Sequence, residues 1–597
     1  MADLPLHDRG DFEDADRGFI AKLSPAVIKT ADGRVIWDND SYDFLHGDCP
    51  ETAHPSLWRQ AQLCARQGLY EVTDGVYQVR GLDLSNMTLV EGDTGVIVID
   101  PLISTECAAA ALKLYRAHRG ERPVTGVIYT HSHAAHFGGV RGVTRGGVPI
   151  LAPAGFMEHA LSDGVCVGPA LIRRAVYMYG TALPRSTEGQ IGCGLGMTFS
   201  TGTLSIIPPT ADISRTGQEE TVDGVRMVFQ FASDAPAEMT FLIPGRRALC
   251  LAESATRNQR DLLPLRGAPV RDARAWARCL NETISLFAGR ADVAFAAHHW
   301  PTWGGGDITR FLAQQRDMYA YLHDQTLRLL NKGLTAAEIA EAVQLPPALE
   351  RAWHTHGYHG SVSHNVKAIY QRYLGWFDGN PAHLWEHPPK ESAIRYVECL
   401  GGGSAVVAFA RRYMTENDLR FAAQLLNHAV FADEGNKEAR DLLAEVYTRL
   451  GHGAENATWR NFYLMGALEL ADGIVTATAD LACRDLYAAL TVEKIFDSLA
   501  IRVDGPRAWH ERLAIDWHLT DLGERHRTTL SNGALIQEVN PPDETADLTL
   551  RLTKAQLLGL LSGNGVEGVA CEGDTSALRR LVAVLDRPMP DFAIVTA

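Results

Sequence analysis

The spacing of apolar residues changes twice along the chain, and each change separates two kinds of predicted structure. In residues 70–102, short β-branched and aromatic runs alternate with Gly-marked turns, a pattern typical of β-hairpins. The apolar run at 96–99 ends in Asp100-Pro101 and is followed by an Ala-rich helical pattern at 106–118 and a second apolar run at 123–129. This β-α-β order predicts a layered α/β domain whose strand ends carry polar loops.

After about residue 308 the apolar spacing becomes helical, as at Leu425, Leu426, Ala429 and Val430. The paired helices resemble a tetratricopeptide-like hairpin, but clear further copies are missing, so an all-helical unit is predicted rather than a repeat array. From about residue 475 alternation returns, first at Leu499, Ile501 and Val503 and later at Leu548, Leu550 and Leu552, and predicts the strands of a small α+β domain. The predicted domains are residues 1–325, 326–474 and 475–597.

Composition and charge narrow the classes of partner. The chain has 597 residues and a net charge of −16, and it contains no basic run that could neutralise phosphates. Nucleic acid and anionic membranes are therefore not expected as partners, and an anionic substrate must be captured locally. The ten Cys form no CxxC pair, the N-terminus is acidic, and no apolar run approaches 18 residues. We therefore expect reduced thiols, no membrane span and a cytoplasmic location, although periplasmic and secreted locations stay open.

Three histidines form the most informative motif in the chain. His131, His133 and His136 lie directly after a predicted buried strand and are followed by Gly138-Gly139. Imidazoles on one post-strand loop can converge on a single point, and neutral imidazole is a common ligand of zinc. The alternative is that they are ordinary hydrogen-bonded loop histidines. The short spacing and the strand context favour a metal site.

Long segments of the chain match one known family. They include EVTDGVYQVRGLDLSNMTLVEGDTGVIVIDPL at 71–102, GQIGCGLG at 189–196, HHWPTWG at 298–304 and GSVSHNVKAIYQRYLGWFDGNPAHL at 360–384. In these segments the sequence resembles the alkylsulfatases of the metallo-β-lactamase superfamily, also called type III sulfatases. The resemblance implies an α/β fold with an αββα catalytic sandwich, an all-helical dimerisation domain that makes the protein a homodimer, and a C-terminal α+β domain that resembles a sterol carrier.

The resemblance also implies an activity and a set of site residues. The activity is hydrolysis of an alkyl sulfate ester, a small amphiphilic anion, to an alcohol and inorganic sulfate with two Zn²⁺ ions per subunit. One ion would be held by His131, His133 and Asp234, and the other by His136 and His298, with Glu253 bridging both. The residues themselves add further candidates: Arg257, Arg260 and Arg266 are expected to form a positive lip that binds the anion, with solvated surface arginines as the alternative. Glu253, Arg260 and Arg266 are the expected catalytic residues, and Tyr179 and His356 are further expected substrate contacts.

Four positions depart from the family pattern. Ala135 stands where the motif His-x-His-x-Asp-His has its Asp, which removes a ligand of the second zinc and predicts weaker metal binding and lower activity. Asp234 replaces a Glu, and His356 replaces an Arg. Arg260 replaces a His that would protonate the leaving group, and a guanidinium cannot act as a general acid, although it can clamp an anionic oxygen.

These departures leave several interpretations open. Ala135 is either an engineered, inactivating substitution or a natural variant with a partly occupied or single-metal site. At the level of function, the alternatives to an alkylsulfatase are a metallohydrolase that has diverged to another ester, a phosphate or a thioester, and a non-catalytic homologue that binds amphiphilic anions.

Overall fold

A computed structural model describes residues 4–232, 237–475, 484–543, 545–563, 568–587 and 589–597. The chain forms two compact units. The first comprises Met1–Met157, Ile172–Ala479 and Asp591–Ala597, and the second comprises Glu158–Leu171 and Asp480–Pro590. The catalytic and helical domains predicted from the sequence thus share one compact unit, and their boundary near residue 325 stays a prediction.

Two sheets form the centre of the first unit. The first sheet has eight strands, in spatial order Phe19–Ala21, Gly68–Thr73, Val76–Arg80, Met87–Glu91, Val96–Ile99, Val124–Ile128, Ile150–Pro153 and Ala211–Ile213. The second has six, in the order Glu219–Val222, Val225–Ala232, Glu238–Ile243, Ala248–Cys250, Val293–Phe295 and Thr302–Trp303. A separate two-stranded sheet pairs Val27–Lys29 with Val35–Asp38.

The two sheets pack face to face because alternate residues of each point inward. Ile97, Ile99 and Ile128 of the first sheet share one buried cluster with Phe229 and Phe241 of the second. The outer face of the second sheet is covered by the helices Ala273–Phe287 and Gly305–Leu330. On the first sheet, the helix Thr105–Arg119 places Tyr115 against Tyr77, with ring centroids 5.7 Å apart. The predicted αββα sandwich is therefore confirmed.

The remaining helices of the first unit lie before, between and after the strands. They are Gly10–Asp16, Pro55–Cys64, Phe156–Tyr179 (of which Glu158–Leu171 belongs to the second unit), Ala336–Ala342, Pro347–Glu350, Val362–Leu374, Pro389–Cys399, Gly403–Thr415, Leu419–Ala432, Lys437–Gly453 and Ala457–Asp472. Short 3₁₀ helices are Asp40–His46, Ala134–His136, Val140–Gly142, Pro244–Arg246, Ala288–Arg290, Trp353–Thr355 and Pro381–His383.

The predicted helical region is confirmed in its secondary structure. Leu426, Val430, Leu443 and Val446 are buried in one cluster because their spacing places them on the facing sides of adjacent helices. Among the described residues, no single helix combines the length and apolar composition needed to cross a membrane. The pair Pro389–Cys399 and Gly403–Thr415, bent by 84°, meets that criterion only when the two helices are taken together.

The second unit contains a mixed sheet and short helices. Its strands lie in the order Ala534–Val539, Glu524–Ser531, Leu513–Leu519, Leu548–Leu552 and Ala570–Gly573, and only the central pair of Leu513–Leu519 with Leu548–Leu552 is parallel. The helices are Arg484–Ala489, Val492–Ala500, Gly505–Ala508, Lys554–Leu561 and Ser576–Ala583. The predicted α+β class of this region is confirmed.

The strand expected at Leu499, Ile501 and Val503 is wrong. Leu499 lies in the helix Val492–Ala500, Ile501 follows it in a turn, and Val503 makes an isolated β-bridge with Leu585. The helix is capped by Thr491, which accepts a hydrogen bond from the Lys494 amide. Its buried residues Val492, Ile495, Phe496 and Leu499 follow helical spacing, which outweighs an alternation of only three residues.

Candidate metal centre

The histidine motif lies on a loop at the edge of the first sheet. It follows the strand Val124–Ile128, which runs parallel to Val96–Ile99, so the loop emerges at the same edge as Asp100. Gly138 and Gly139 allow the loop to pack closely, because a Cβ atom on either would lie 2.2 Å from a backbone oxygen, that of Ile103 or Pro101. The side chains of His131 and His136 are almost fully buried, and that of His133 is 25% exposed.

Glu253 is the point on which the histidines converge. It follows the strand Ala248–Cys250, and His298 follows the neighbouring parallel strand Val293–Phe295. Glu253 Oε2 lies 3.4 Å from both His131 Nε2 and His133 Nδ1. Glu253 Oε1 lies 3.2 Å from His136 Nε2 and 2.7 Å from His298 Nε2. Each carboxylate oxygen thus faces one pair of imidazoles.

In three of these imidazoles, the outer ring nitrogen, which is the one that does not face Glu253, lies within hydrogen-bond distance of an oxygen atom. His136 Nδ1 lies 3.0 Å from Asp100 Oδ2, His298 Nδ1 lies 3.1 Å from the Leu84 carbonyl oxygen, and His131 Nδ1 lies 2.9 Å from Thr130 Oγ1. An imidazole that donates its outer N–H to an oxygen directs the lone pair of its other nitrogen inward. The donor atoms of His131, His136 and Glu253 lie within 4.8 Å of one another, so this group could hold a metal ion.

Burial and charge decide the protonation of these groups. Burial lowers the pKa of His131 to about 3 and that of His133 to about 4, which keeps both imidazoles neutral. Burial also disfavours charge on His136, but Asp100 and Glu253 outweigh it and raise the pKa to about 9. Burial alone would raise the pKa of Glu253, whereas Arg260 and the surrounding histidines hold it well below its ordinary value. Glu253 is therefore an anionic carboxylate among the four imidazoles.

Two arginines reach the centre. Arg260 Nη2 lies 2.5 Å from Glu253 Oε2, and the Nε and Nη1 atoms of this buried side chain have no hydrogen-bond partner within the described part of the chain. Arg271 Nη2 lies 3.3 Å from His133 Nε2. The sequence predicted Arg260 as an anion-holding residue, which stays a prediction, and did not predict its contact with Glu253. Arg271 was missed because only its position in the fold distinguishes it from other arginines.

The other predicted arginine and histidine contacts lie elsewhere. Arg257 is ion-paired with Asp11 at 3.2 Å and Asp14 at 3.4 Å, and its guanidinium also donates to the Pro301 carbonyl oxygen and the Thr302 hydroxyl. Both ring nitrogens of His356 face oxygens 2.9 Å away, one on Glu455 and one on the Glu350 backbone. The structure therefore does not bring Arg257 and His356 to Glu253.

Tyr179 and Ala135 belong to an apolar wall beside the centre. They pack with Phe199 against the buried cluster of Leu84, Cys193 and Leu195. The rings of Tyr179 and Phe199 meet edge to face with centroids 5.1 Å apart, and burial raises the pKa of Tyr179 to about 12.

The last two site residues predicted from the sequence are Arg266 and Asp234. Arg266 is half-buried and donates a hydrogen bond to the Gly267 carbonyl oxygen. Asp234 lies outside the described residues.

Sequence reasoning missed two carboxylates that contact His136 and Glu253. Asp100 holds His136, and it accepts hydrogen bonds from the Thr130 amide and hydroxyl. Glu238 accepts hydrogen bonds from the Glu253 amide at 2.8 Å and the Ser254 hydroxyl at 3.0 Å. The signal for Asp100 was available, since it ends a buried strand parallel to the one before His131.

Comparisons with known proteins cover the whole length of the chain. Three family models match it: metallo-beta-lactamase superfamily at residues 80–154, alkyl sulfatase dimerisation at 335–473 and alkyl sulfatase C-terminal at 480–597. A linear primary-alkylsulfatase from Pseudomonas sp. is 44% identical over 100% of this chain and 91% of its own length. Alkyl/aryl-sulfatase BDS1 from Saccharomyces cerevisiae is 43% identical over 99% of this chain and 94% of its own.

One solved structure is similar to this chain over its whole length. That of the stereoselective inverting sec-alkylsulfatase Pisa1 from Pseudomonas sp. has 42% sequence identity and a TM-score of 0.97, and the match covers 100% of this chain and 96% of that one.

Proposed function

The chain belongs to the alkylsulfatases of the metallo-β-lactamase superfamily, and we propose that it hydrolyses an alkyl sulfate ester to the alcohol and inorganic sulfate at Glu253 and the surrounding histidines. As a member of this family it is a hydrolase of sulfuric esters. The observation that carries the assignment to this site is the convergence of four imidazoles on the two oxygens of one buried carboxylate.

Zinc is the metal that the donor set favours. Imidazole nitrogens and carboxylate oxygens in a buried site are the ligands of catalytic zinc, and the proposed ligands are His131, His133, His136, Glu253 and His298, with Asp234. When bound, zinc polarises an ester oxygen and lowers the pKa of a coordinated water. Asp100 and Glu238 keep His136 and Glu253 oriented for this role.

Arg260 is proposed to hold the sulfate group. Its Nη2 is engaged by Glu253, whereas the N–H groups on Nε and Nη1 are directed into buried space and can donate to anionic oxygens. Arg266, whose Nη1 donates to the carbonyl oxygen of the adjacent Gly267, is the second candidate for this role. The wall formed by Ala135, Tyr179 and Phe199 is suited to the alkyl part of the same substrate. Together these features favour an amphiphilic anion.

Release of inorganic sulfate tests the proposed function. Zinc-reconstituted protein should release sulfate from dodecyl sulfate faster than it hydrolyses dodecyl phosphate or dodecyl acetate. Glu253→Gln should abolish this release, because an amide is a poor zinc ligand and cannot carry the negative charge. Faster turnover of the phosphate or the acetate would instead indicate a diverged hydrolase. Tight binding without turnover, unchanged by excess zinc and by Ala135→Asp, would indicate a binding protein.

A homodimer is the proposed assembly. The region that matches the dimerisation family exposes several large apolar side chains, namely Tyr373, Trp376, Leu384, Trp385 and Tyr396. Trp376 is 78% exposed and Trp385 is 95% exposed. Clustered exposed aromatic residues are typical of protein interfaces, and a second copy of this chain is the partner that the family match favours.

A further inference from the structure

Arg260 holds an oxygen that a bridging carboxylate would offer to a metal ion. Its Nη2 atom lies 2.5 Å from Glu253 Oε2, the oxygen that also faces His131 and His133. A guanidinium is a permanent cation and cannot lose its proton to make room for a second cation. An ion at Oε2 would therefore stand directly against a fixed positive charge.

The backbone around Arg260 leaves this side chain little freedom to move away. The Arg260 amide donates to the Tyr319 hydroxyl at 3.0 Å, and its carbonyl oxygen accepts from Asn365 Nδ2 at 2.8 Å. Gly360 lies so close that a Cβ atom there would be 2.5 Å from the Arg260 carbonyl oxygen. The Arg260 side chain is 4% exposed, so swinging out to solvent would require rearrangement of this packing.

The net charge of the groups around Glu253 also disfavours a second metal ion. The four histidines are neutral when they act as ligands. Among the described charged groups that contact this cluster, Glu253, Asp100 and Glu238 carry three negative charges, and Arg260 and Arg271 carry two positive charges. One divalent ion leaves these groups with a net charge of +1, and two divalent ions would leave them at +3. Burial of uncompensated charge is strongly unfavourable. Ala135, between His133 and His136, adds no donor atom that could offset the excess.

From these contacts we infer that the centre binds a single zinc ion and that the guanidinium of Arg260 takes the place of a second cation on Glu253. The inference rests on the proposed zinc-dependent function. Arg260 thus has a positioning role, holding Glu253 Oε2 in the absence of a bridging ion, in addition to the proposed contact with sulfate.

Metal stoichiometry tests the inference without relying on turnover. The full-length protein and its variants are saturated with zinc and desalted, and bound zinc per chain is measured by inductively coupled plasma mass spectrometry. We expect one ion in the unaltered protein and one in Ala135→Asp. Two ions are expected only in Ala135→Asp combined with Arg260→His, which supplies the ligand and removes the fixed charge.

Two controls separate the charge of Arg260 from general effects of substitution. Ala135→Asp combined with Arg260→Lys keeps the cation and should stay at one ion. Ala135→Asp combined with Arg274→His alters an arginine 43% exposed and paired with Asp324, and should also stay at one. Calorimetric titration of the metal-free unaltered protein with zinc gives an independent count if the double variants fold poorly, and it should show a single site.

The outcomes distinguish this inference from the proposed function. Two ions on the unaltered protein, on Ala135→Asp or on the Arg260→Lys double variant would overturn the inference and leave a two-zinc hydrolase. One ion on a folded Ala135→Asp, Arg260→His variant would overturn it as well. No zinc on any of the proteins would overturn the proposed zinc-dependent function and the inference with it.

Discussion

Single residues around Glu253 divide into those that would touch a metal ion and those that orient the ligands. Asp100 belongs to the second group, because its carboxylate lies 3.0 Å from His136 Nδ1 and receives two hydrogen bonds from Thr130. The carboxylate therefore fixes the tautomer and the ring plane of His136.

Replacement of Asp100 measures this positioning role. Asp100→Asn preserves the size of the side chain, and Asn tolerates the left-handed backbone conformation at this position (φ 54°). We expect a loss of zinc affinity of about 10- to 100-fold, as for other outer-sphere partners of metal-bound histidines. Competition with a chromogenic chelator measures the affinity. Asp74→Asn, at a side chain 95% exposed, is the matched control. Equal affinity for Asp100→Asn and the control would show that Asp100 has no such role.

At the scale of elements, parallel strands bring the ligands together and glycines let the connecting loop reach them. Asp100 and the histidine loop follow one parallel pair of strands, and Glu253 and His298 follow another. The loop from His131 to Gly139 then turns sharply against the backbone of Pro101 and Ile103. The geometry of the proposed ligands therefore depends on close backbone packing as well as on the residues themselves.

Gly139→Ala tests the role of this packing. The φ angle of Gly139 is −90°, so the backbone conformation itself suits alanine, but the new Cβ would lie 2.2 Å from the Pro101 oxygen and 2.6 Å from the Ser104 oxygen. We expect a loss of about 1–3 kcal/mol in the free energy of unfolding, as for other overpacked sites, together with weaker zinc binding. Urea denaturation measures the stability. Gly245→Ala, where a Cβ meets nothing within 4 Å, should change neither property; matching losses in both variants would contradict the packing argument.

At the scale of the whole molecule, buried neutral histidines couple stability to pH. Burial lowers the pKa of His299 and of His354 to about 3 and that of His359 to about 4. His299 Nδ1 accepts a hydrogen bond from the Arg257 amide, whereas Nε2 donates to the Gly194 carbonyl oxygen. Protonation of Nδ1 would place its N–H directly opposite the Arg257 amide N–H, which is unfavourable because both groups are donors. The folded protein therefore keeps His299 neutral.

The metal-free protein should therefore become less stable as the pH falls below about 6.5, the ordinary pKa of histidine in the unfolded chain. Below that pH the unfolded chain binds protons that the folded protein excludes. Each such histidine then lowers the free energy of unfolding by about 1.4 kcal/mol for every pH unit. Urea denaturation with EDTA at pH 6.5, 6.0 and 5.5 measures the slope, because the raised pKa of His136, about 9, changes the stability mainly above this range. His299→Asn, which also suits φ 64°, should make the slope shallower. A stability that rises on acidification, or an unchanged slope in the variant, would contradict this account.

The proposed dimer is also tested at this scale. Large aromatic side chains such as Trp376 and Trp385 bury about 150–250 Å² each in an interface, so replacing both with Ser should weaken dimerisation at least tenfold. Sedimentation equilibrium measures the dissociation constant. Trp509→Ser, at a residue 62% exposed in the second unit, should leave it unchanged. An unaltered dimer in the double variant, or a monomeric parent protein, would argue against this surface.

The sequence by itself determined the order of sandwich, helical region and C-terminal α+β region, because apolar periodicity is a local property of the chain. It also predicted that His131, His133 and His136 converge, since residues on one short loop are adjacent in sequence, and their rings do lie close together. Tertiary structure alone decided the partners of the arginines. Arg257 and Arg260 are three residues apart, yet Arg257 pairs with Asp11, 246 residues away, and Arg260 pairs with Glu253. The direction of a long side chain depends on which distant elements pack against its backbone, and no local pattern carries that information.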